Sequence, residues 1–222
     1  MRFQHFWLIF GVVLLEGCDV HPVGRAPEEM AGQAKVYSLI LDSLYSARPW
    51  HGRVVSQVVL TDSTVAMDTY GGRRGIKIYT IDGKQEDRVL HFLKHWPPPQ
   101  LAEFEIDSLC ARFNHLNRVQ IRLDSSNVQS RNKLVLLSTR AVEERLHRAH
   151  GLVDYWEQFY TTYPGSNGRV SLSQVAFNNS HTQAMTYWEH RFGDLGATGQ
   201  YLFLEKKRHE WVVVFSFPLW ES

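Results

Sequence analysis

A serine flanked by glycines is the first residue whose setting could support catalysis. It lies in the segment Gly165-Ser166-Asn167-Gly168. A hydrolase nucleophile elbow needs glycines two positions on either side of the serine, and it joins a strand to the helix that follows. Here the spacing is G-S-x-G, and the serine follows a predicted helix and precedes a predicted strand. The segment therefore predicts a helix-terminating turn, and we assign no catalytic residue.

Two pairs of histidines have the spacing of metal ligands on a helix. His91 and His95 are four residues apart, and His147 and His150 are three apart. Zinc needs three or four ligands in a tetrahedral arrangement, and neither pair has a third ligand at a recognisable spacing. Because the chain contains 11 histidines, such pairs arise by chance. We expect no metal and no other cofactor.

The N-terminal segment ends at a cysteine that could carry lipid. Arg2 is followed by an apolar run over residues 6–15. A run of roughly ten residues is too short to span a bilayer and has the length of a signal-peptide core. The sequence L-E-G-C that ends at Cys18 resembles a bacterial lipobox, with Glu16 where a small uncharged residue is usual. We expect Cys18 to be lipidated; the alternative is ordinary signal cleavage nearby, with Cys18 unmodified.

A lipid on Cys18 determines the expected location and partners. Acyl chains would hold the folded part at a membrane of the bacterial cell envelope, inner or outer, where a protein partner could be bound. The net charge of +1, from 24 basic and 23 acidic residues, predicts no nucleic-acid binding. Cys110 lies in an apolar stretch, so we expect a buried, unreactive thiol and no disulfide.

Chain length and composition predict one folded domain. With 222 residues and 44% hydrophobic content, the chain can bury a sizeable core. We expect a lipoprotein signal peptide over residues 1–17, a tether over 18–29 and a single α+β domain over 30–222. The alternative is two lobes, 30–132 and 133–222.

The elements that position the candidate residues follow from hydrophobic spacing. In the N-terminal half, the predicted helices cover residues 30–46, 89–96 and 101–113, and the predicted strands cover 54–60, 76–79 and 119–123. In the C-terminal half, the predicted strands cover 133–137, 169–177, 183–189, 200–206 and 211–217; one predicted helix is capped by Ser138 or Thr139, and another covers 152–163.

These elements predict an α+β fold in which helices pack on an antiparallel sheet with a C-terminal four-stranded meander. Helix 152–163 has a broad aromatic face, which we expect to lie across the meander. Glycines 193, 196 and 199 are interpreted as a source of flexibility in a hairpin. Both faces of the last strands are apolar, which favours a sheet covered on both sides; the alternative is an exposed aromatic patch.

The chain from about residue 133 to the end resembles a group of uncharacterised bacterial envelope proteins. The resemblance implies a shared α+β fold and an envelope location, and it implies no activity. Ala176 stands where the pattern usually has glycine. The matching residues are Trp156, Phe159-Tyr160, Tyr163-Pro164-Gly165-Ser166, Gly168, Leu172-Ser173, Val175, Phe177-Asn178, Gln183-Ala184, Tyr187, Gly199, Tyr201, Leu204-Glu205, Trp211 and Trp220-Glu221-Ser222.

Two functions remain open from the sequence. The first is a non-catalytic envelope lipoprotein that acts as an interaction or binding module. The alternative is a small-ligand-binding protein or hydrolase with a cavity between helix 152–163 and the C-terminal sheet. The side chains we expect to contribute to binding are Glu157, His181, Trp188 and Arg191.

Overall fold

The computed structural model describes residues 26–45, 55–66, 77–79, 85–87, 92, 93 and 95–222. The expected signal peptide, Cys18 and half of the predicted 89–96 helix, including His91, lie outside these residues. The helices are α1 (Pro27–Tyr45), α2 (Ile106–Leu116), α3 (Thr139–Arg148) and α4 (Leu152–Thr162), with a 3-10 turn at Pro99–Leu101. None of these helices is long and apolar enough to cross a membrane.

The strands form one seven-stranded sheet and a separate pair. They are β1 (Gln57–Thr61), β2 (Lys77–Tyr79), β3 (Gln85–Asp87), β4 (Lys133–Leu137), β5 (Arg169–Leu172), β6 (Ala176–Phe177), β7 (Gln183–Arg191), β8 (Ala197–Lys207) and β9 (Glu210–Glu221). The large sheet has the order β4-β1-β5-β7-β8-β9, β6 also pairs with β7, and β2 pairs with β3.

The large sheet is mixed, because its two halves have different strand directions. Strand β1 lies between β4 and β5 and is parallel to both. Strands β5, β7, β8 and β9 are successively antiparallel. The predicted α+β class and the C-terminal four-stranded meander are therefore confirmed, and the parallel half is an addition that local sequence patterns do not reveal.

Helix α1 covers one face of the sheet. Its apolar stripe includes Tyr37 and Leu41, both fully buried, and it packs with β1, β5 and the inward side chains Ala184 and Trp188 of β7. The Tyr37 hydroxyl donates a 2.8 Å hydrogen bond to the Ser173 carbonyl oxygen. This bond gives the buried phenol a partner and fixes the helix against the end of β5.

Helix α2 covers the meander on the opposite face. Leu109, Cys110 and Phe113 are buried against Met185 and Tyr201 of the meander. Side chains alternate along a strand, so the odd-numbered residues of β7 face α2 while the even-numbered ones face α1. Strand β7 and most of β8 are thus buried on both faces, whereas β9 is mostly half-buried or exposed. Cys110 is the buried thiol that its apolar surroundings predict.

Helix α4 does not lie across the meander, so that prediction is wrong. Its buried residues Tyr155, Trp156 and Phe159 pack with Val59 of β1 and Leu137 of β4. Because α2 already occupies the meander on this face, the aromatic stripe of α4 covers the parallel half instead. Tyr160 reaches the border between the halves, where its hydroxyl donates to the Phe192 carbonyl oxygen at 2.7 Å.

Two local predictions are also corrected. Residues 119–123 form no strand: Val119 is 60% exposed, and the segment contributes one isolated bridge, between Arg122 and Ser63. The side chain of Ser138 does not cap α3. Instead, Asp62, directly after β1, accepts a 2.9 Å bond from the Thr139 amide, and a carboxylate there also offsets the helix dipole.

Candidate binding groove

The structure does not bring together the four residues that the sequence singled out. Glu157 is on the exposed side of α4. Trp188 and Arg191 are an odd number of positions apart on β7, so they lie on opposite faces of the sheet. Trp188 belongs to the core under α1. His181 lies in the turn before β7, and it alone borders an open groove.

The contact between α4 and the sheet is filled by aromatic rings. The Trp156 ring centroid lies 5.1 Å from those of Tyr155 and Phe159, and Phe159 lies 5.4 Å from Tyr160 and 5.0 Å from Tyr163. Offset and edge-on ring pairs of this kind are typical of a packed core. This interface therefore gives no support to the small-ligand or hydrolase alternative.

Arg191 belongs to a closed network on the α2 face. Its Nε donates to Oε1 of the fully buried Glu189 at 3.4 Å. The Tyr187 hydroxyl donates to the other carboxylate oxygen at 3.3 Å and accepts a 3.0 Å bond from Trp220 Nε1. The Arg191 guanidinium also lies 5.2 Å from the Trp220 ring centroid. These partners compensate the buried carboxylate, so the network stabilises the fold.

His181 is held by the turn that leads into β7. The Asn178 side-chain oxygen accepts hydrogen bonds from the amides of Thr182 and Gln183, at 2.9 and 3.0 Å. His181 has a φ of 54°, a left-handed conformation that the bracing by Asn178 allows. The turn directs the His181 imidazole towards the first turn of α1.

The His181 ring contacts one aromatic ring and lies near two carboxylates. Its centroid lies 5.7 Å from that of Phe177. Its Nδ1 is 3.7 Å from Oε1 of Glu28, and its Nε2 is 3.8 Å from Oε1 of Glu29. Glu29 also pairs with Arg112 of α2. The imidazole therefore closes one end of the groove beside the acidic start of α1.

Small side chains on α1 let the helix approach the sheet closely. A Cβ at Gly32 would lie 3.1 Å from the Phe177 ring of β6, and Ala31 lines the groove beside Trp211 of β9. The rings of Phe177 and Trp211 lie 5.4 Å apart, and they are 2% and 7% exposed. The floor of the groove is thus aromatic, with little of either ring exposed.

Two adjoining pockets make up this α1 groove. The larger has a volume of about 540 Å³ and extends along α1 towards His209. The smaller has a volume of about 200 Å³ and ends at His181. They share Ala31, Lys35 and Trp211. The two pockets therefore adjoin along α1 and are both open to solvent.

Charged side chains of both signs line the groove. Lys35 lines both pockets, and Lys206 lines the smaller one. Glu28 lines the smaller pocket and Glu210 the larger one. Neither lysine forms an ion pair within the described part of the chain. The two ammonium groups can pair with a carboxylate that lies next to an apolar side chain on the aromatic floor.

The glycine-serine segment after α4 has a structural role. Gly165 and Gly168 have φ values of 75° and 86°, and Ser166 Oγ donates to the Tyr163 carbonyl oxygen at 2.7 Å. The predicted turn at the end of α4 is thereby confirmed. Across residues 26–222, with the gaps given above, no three His, Cys, Asp or Glu side chains are grouped to hold a metal ion.

Sequence reasoning missed Lys35, Lys206 and Trp211 as neighbours. Lys35 and Trp211 are more than 170 positions apart, and no local pattern relates a helix to a hairpin at that separation. The available signal was the cluster of small residues in Met30-Ala31-Gly32-Gln33-Ala34, which marks where another element can approach α1 closely. No protein-family model, curated protein or solved structure matches this chain.

Proposed function

We propose that this protein is a non-catalytic binding module of the bacterial cell envelope, anchored by lipid on Cys18, whose α1 groove receives an extended segment of a partner envelope protein. The open groove over Phe177 and Trp211 is the observation that carries the proposal. The segment it fits has an apolar side chain for the aromatic floor and an adjacent acidic residue for Lys35 and Lys206.

The position of Cys18 supports an envelope partner. Cys18 lies nine positions before Pro27, where α1 begins. An extended chain covers about 3.3–3.6 Å per residue, so the first turn of α1 would stay within roughly 30 Å of the lipid. The His181 end of the groove would then lie close to the membrane surface, where segments of other anchored proteins are concentrated.

The anchor is tested by comparing two cysteine substitutions in the full chain. Cys18→Ser removes the acceptor for lipid, and Cys110→Ser changes the buried thiol without affecting the anchor. We expect Cys18→Ser to move the protein from the membrane to the soluble envelope fraction and to abolish labelling by radioactive palmitate, while Cys110→Ser remains membrane-bound. A labelled, membrane-bound Cys18→Ser protein would contradict the anchor.

The groove is tested with synthetic peptides of about ten residues that alternate apolar and acidic side chains. Basic analogues of the same length serve as the comparison, and binding is measured by fluorescence anisotropy. We expect the acidic peptides to bind more tightly. Reversing both charges with Lys35→Glu and Lys206→Glu should weaken acidic-peptide binding at least about tenfold, because like charges then oppose each other at the groove.

A matched control separates the groove from general charge. Lys133→Glu changes one exposed lysine on β4, at the far edge of the sheet, and we expect peptide binding to be unchanged. Equal binding of acidic and basic peptides, or equal losses in the control and the groove variants, would reject the α1 groove as the binding site while leaving the test of Cys18 unaffected.

A further inference from the structure

A second opening lies between α3 and α4, away from the α1 groove. It has a volume of about 350 Å³ and is lined by Arg145, Arg148, Gln158 and Thr162. Arg145 and Arg148 are three positions apart, so they share one side of α3. Gln158 and Thr162 are four apart on α4. All four lining residues are polar, and none of them is acidic.

Within the described residues, neither arginine of this α3–α4 pocket pairs with a carboxylate. Arg148 donates from Nε to the Glu144 backbone carbonyl at 3.1 Å. The Glu144 side chain instead pairs with Arg140 at 2.8 Å. Asp154 of α4 accepts bonds from the His150 amide at 2.9 Å and from Gln158 at 3.0 Å. The lining of the pocket therefore has an excess of positive charge.

Two buried donors at the junction of α3 and α4 have no acceptor among the described residues. They are Nη1 of Arg145 and the hydroxyl of Tyr155, and the charge of Arg145 acts on that hydroxyl. Tyr155 is 2% exposed. Such orphaned groups are rare in folded proteins, because losing water without a replacement partner is costly. Two of them at one junction favour the binding of an acceptor from outside the chain.

Charge surrounds the Tyr155 hydroxyl. Burial raises the Tyr155 pKa, which keeps the hydroxyl protonated and able to donate, and the nearby charges of Arg169, Arg145 and Arg191 act in the opposite direction. The Arg145 guanidinium itself lies 5.5 Å from the centroid of the Tyr163 ring, which holds it in place. The junction is thus a fixed set of donors on α3, α4 and the start of β5.

We propose that the α3–α4 pocket binds a phosphate group, held by Arg145 and Arg148, with the Tyr155 hydroxyl as a further donor. Guanidinium groups bind phosphate and carboxylate oxygens through paired hydrogen bonds. A phosphate group is tetrahedral and presents its oxygens in three dimensions, whereas a carboxylate is planar. Donors on two helices can therefore bond to more oxygens of a phosphate than of a carboxylate. The phosphate can belong to a free ion or to a lipid headgroup.

Thermal unfolding of the full chain in detergent tests this site, with inorganic phosphate compared against chloride at equal ionic strength. A ligand that binds only the folded state raises Tm. We expect phosphate to raise Tm by several degrees and the Arg145→Gln/Arg148→Gln variant to lose most of that rise. Arg140→Gln, which removes one positive charge at an exposed position of α3 and so matches the single variant Arg148→Gln, should keep the rise. Tyr155→Phe should reduce it.

A separate arm distinguishes the source of the phosphate. Full-chain Cys18→Ser, which lacks the expected anchor, is mixed with vesicles of phosphatidylglycerol or of phosphatidylcholine. Sedimentation with phosphatidylglycerol alone, lost in Arg148→Gln, would assign the site to lipid headgroups. A rise in Tm with inorganic phosphate and no vesicle binding would assign it to free phosphate.

The proposal fails if neither phosphate nor phosphatidylglycerol acts on the wild-type protein, or if either acts equally on Arg148→Gln. Arg148 is exposed, so this single variant keeps the test valid if the double variant does not fold. The outcome is independent of the α1 groove, which lies against the other face of the sheet.

Discussion

Tyr187 and Trp220 show how closely single residues are fitted in this fold. Gly199 on β8 is the neighbour of Trp220 on β9 and of Glu189 on β7. A Cβ at Gly199 would collide with Trp220 Nε1 and with the Tyr187 hydroxyl, the two groups that bond to each other. The glycine spacing in the sequence predicts hairpin flexibility here, but the close fit around Gly199 requires the absence of a side chain instead.

Gly199→Ala is therefore expected to destabilise the protein. Overpacking of a buried site costs about 1–3 kcal/mol, and the Tyr187–Trp220 hydrogen bond would be displaced as well. Gly193→Ala is the matched control, because a Cβ there would meet its nearest atom at an ordinary 3.5 Å; we expect a change within about 0.5 kcal/mol. Urea unfolding measures both, and equal stabilities would refute the close approach.

His190 is expected to make the stability depend on pH. Burial lowers its pKa from the ordinary 6.5, although its hydrogen bond to the Asn167 carbonyl acts in the opposite direction. Below pH 6.5 the unfolded state therefore binds more protons than the folded state. The free energy of unfolding should fall as the pH drops through 6.5 towards the lower folded-state pKa, by at most about 1.4 kcal/mol per pH unit for one proton.

The test is urea unfolding between about pH 8 and pH 5 for wild type and His190→Gln. Glutamine can still donate to the Asn167 carbonyl but does not titrate, so this variant should lose part of the decline. His209→Gln, at an exposed position in the β8–β9 turn, serves as the control and should follow the wild type. Parallel curves for all three proteins would exclude His190 as the cause.

At the scale of elements, α4 owes its position to one aromatic stripe. Phe159 is 1% exposed and contacts four other rings. Phe159→Ala should leave a cavity between α4 and β1 and destabilise the protein by about 3–5 kcal/mol. Val153 lies on the same helix and is 60% exposed. Val153→Ala should therefore change the free energy of unfolding by less than about 0.5 kcal/mol. Similar losses in both variants would contradict this packing.

Elements formed by neighbouring residues were predictable, and their long-range partners were not. The stripe of α4 and the alternation in β7, β8 and β9 are local properties, and short links between consecutive strands imply antiparallel pairing. The alternation in residues 119–123 was misleading, because alternation alone does not supply a partner strand. Whether α2 or α4 covers the meander is decided by competition for one face, which no single segment encodes.

The candidate site was predictable only in part for the same reason. Side chains alternate along β7, so the sequence alone implies that Trp188 and Arg191 lie on opposite faces of the sheet. These two residues could therefore have been excluded as parts of one site. His181 does border the α1 groove. Its neighbours on α1 and β9 come from opposite ends of the chain, and their meeting depends on the completed sheet.

At the scale of the whole molecule, the large sheet includes strands from both sides of residue 132. Strand β1 lies between β4 and β5, so a fragment of residues 133–222 would lack the central strand of the parallel half. We expect that fragment to show no cooperative urea transition, whereas residues 26–222 should unfold cooperatively. Native-like near-ultraviolet circular dichroism in the shorter fragment would support the division into two lobes.

The central position of β1 also determines when the molecule can fold. Gln57 pairs with Lys133, 76 positions later, and Val59 pairs with Arg169, later still. During synthesis, which runs from the N-terminus, Val58, Val59 and Leu60 emerge long before any partner strand exists. Closing such long loops is entropically costly and slows folding. In the nascent chain, Val58, Val59 and Leu60 therefore have no partner strand until β4 has been made, and their second neighbour, β5, follows only later.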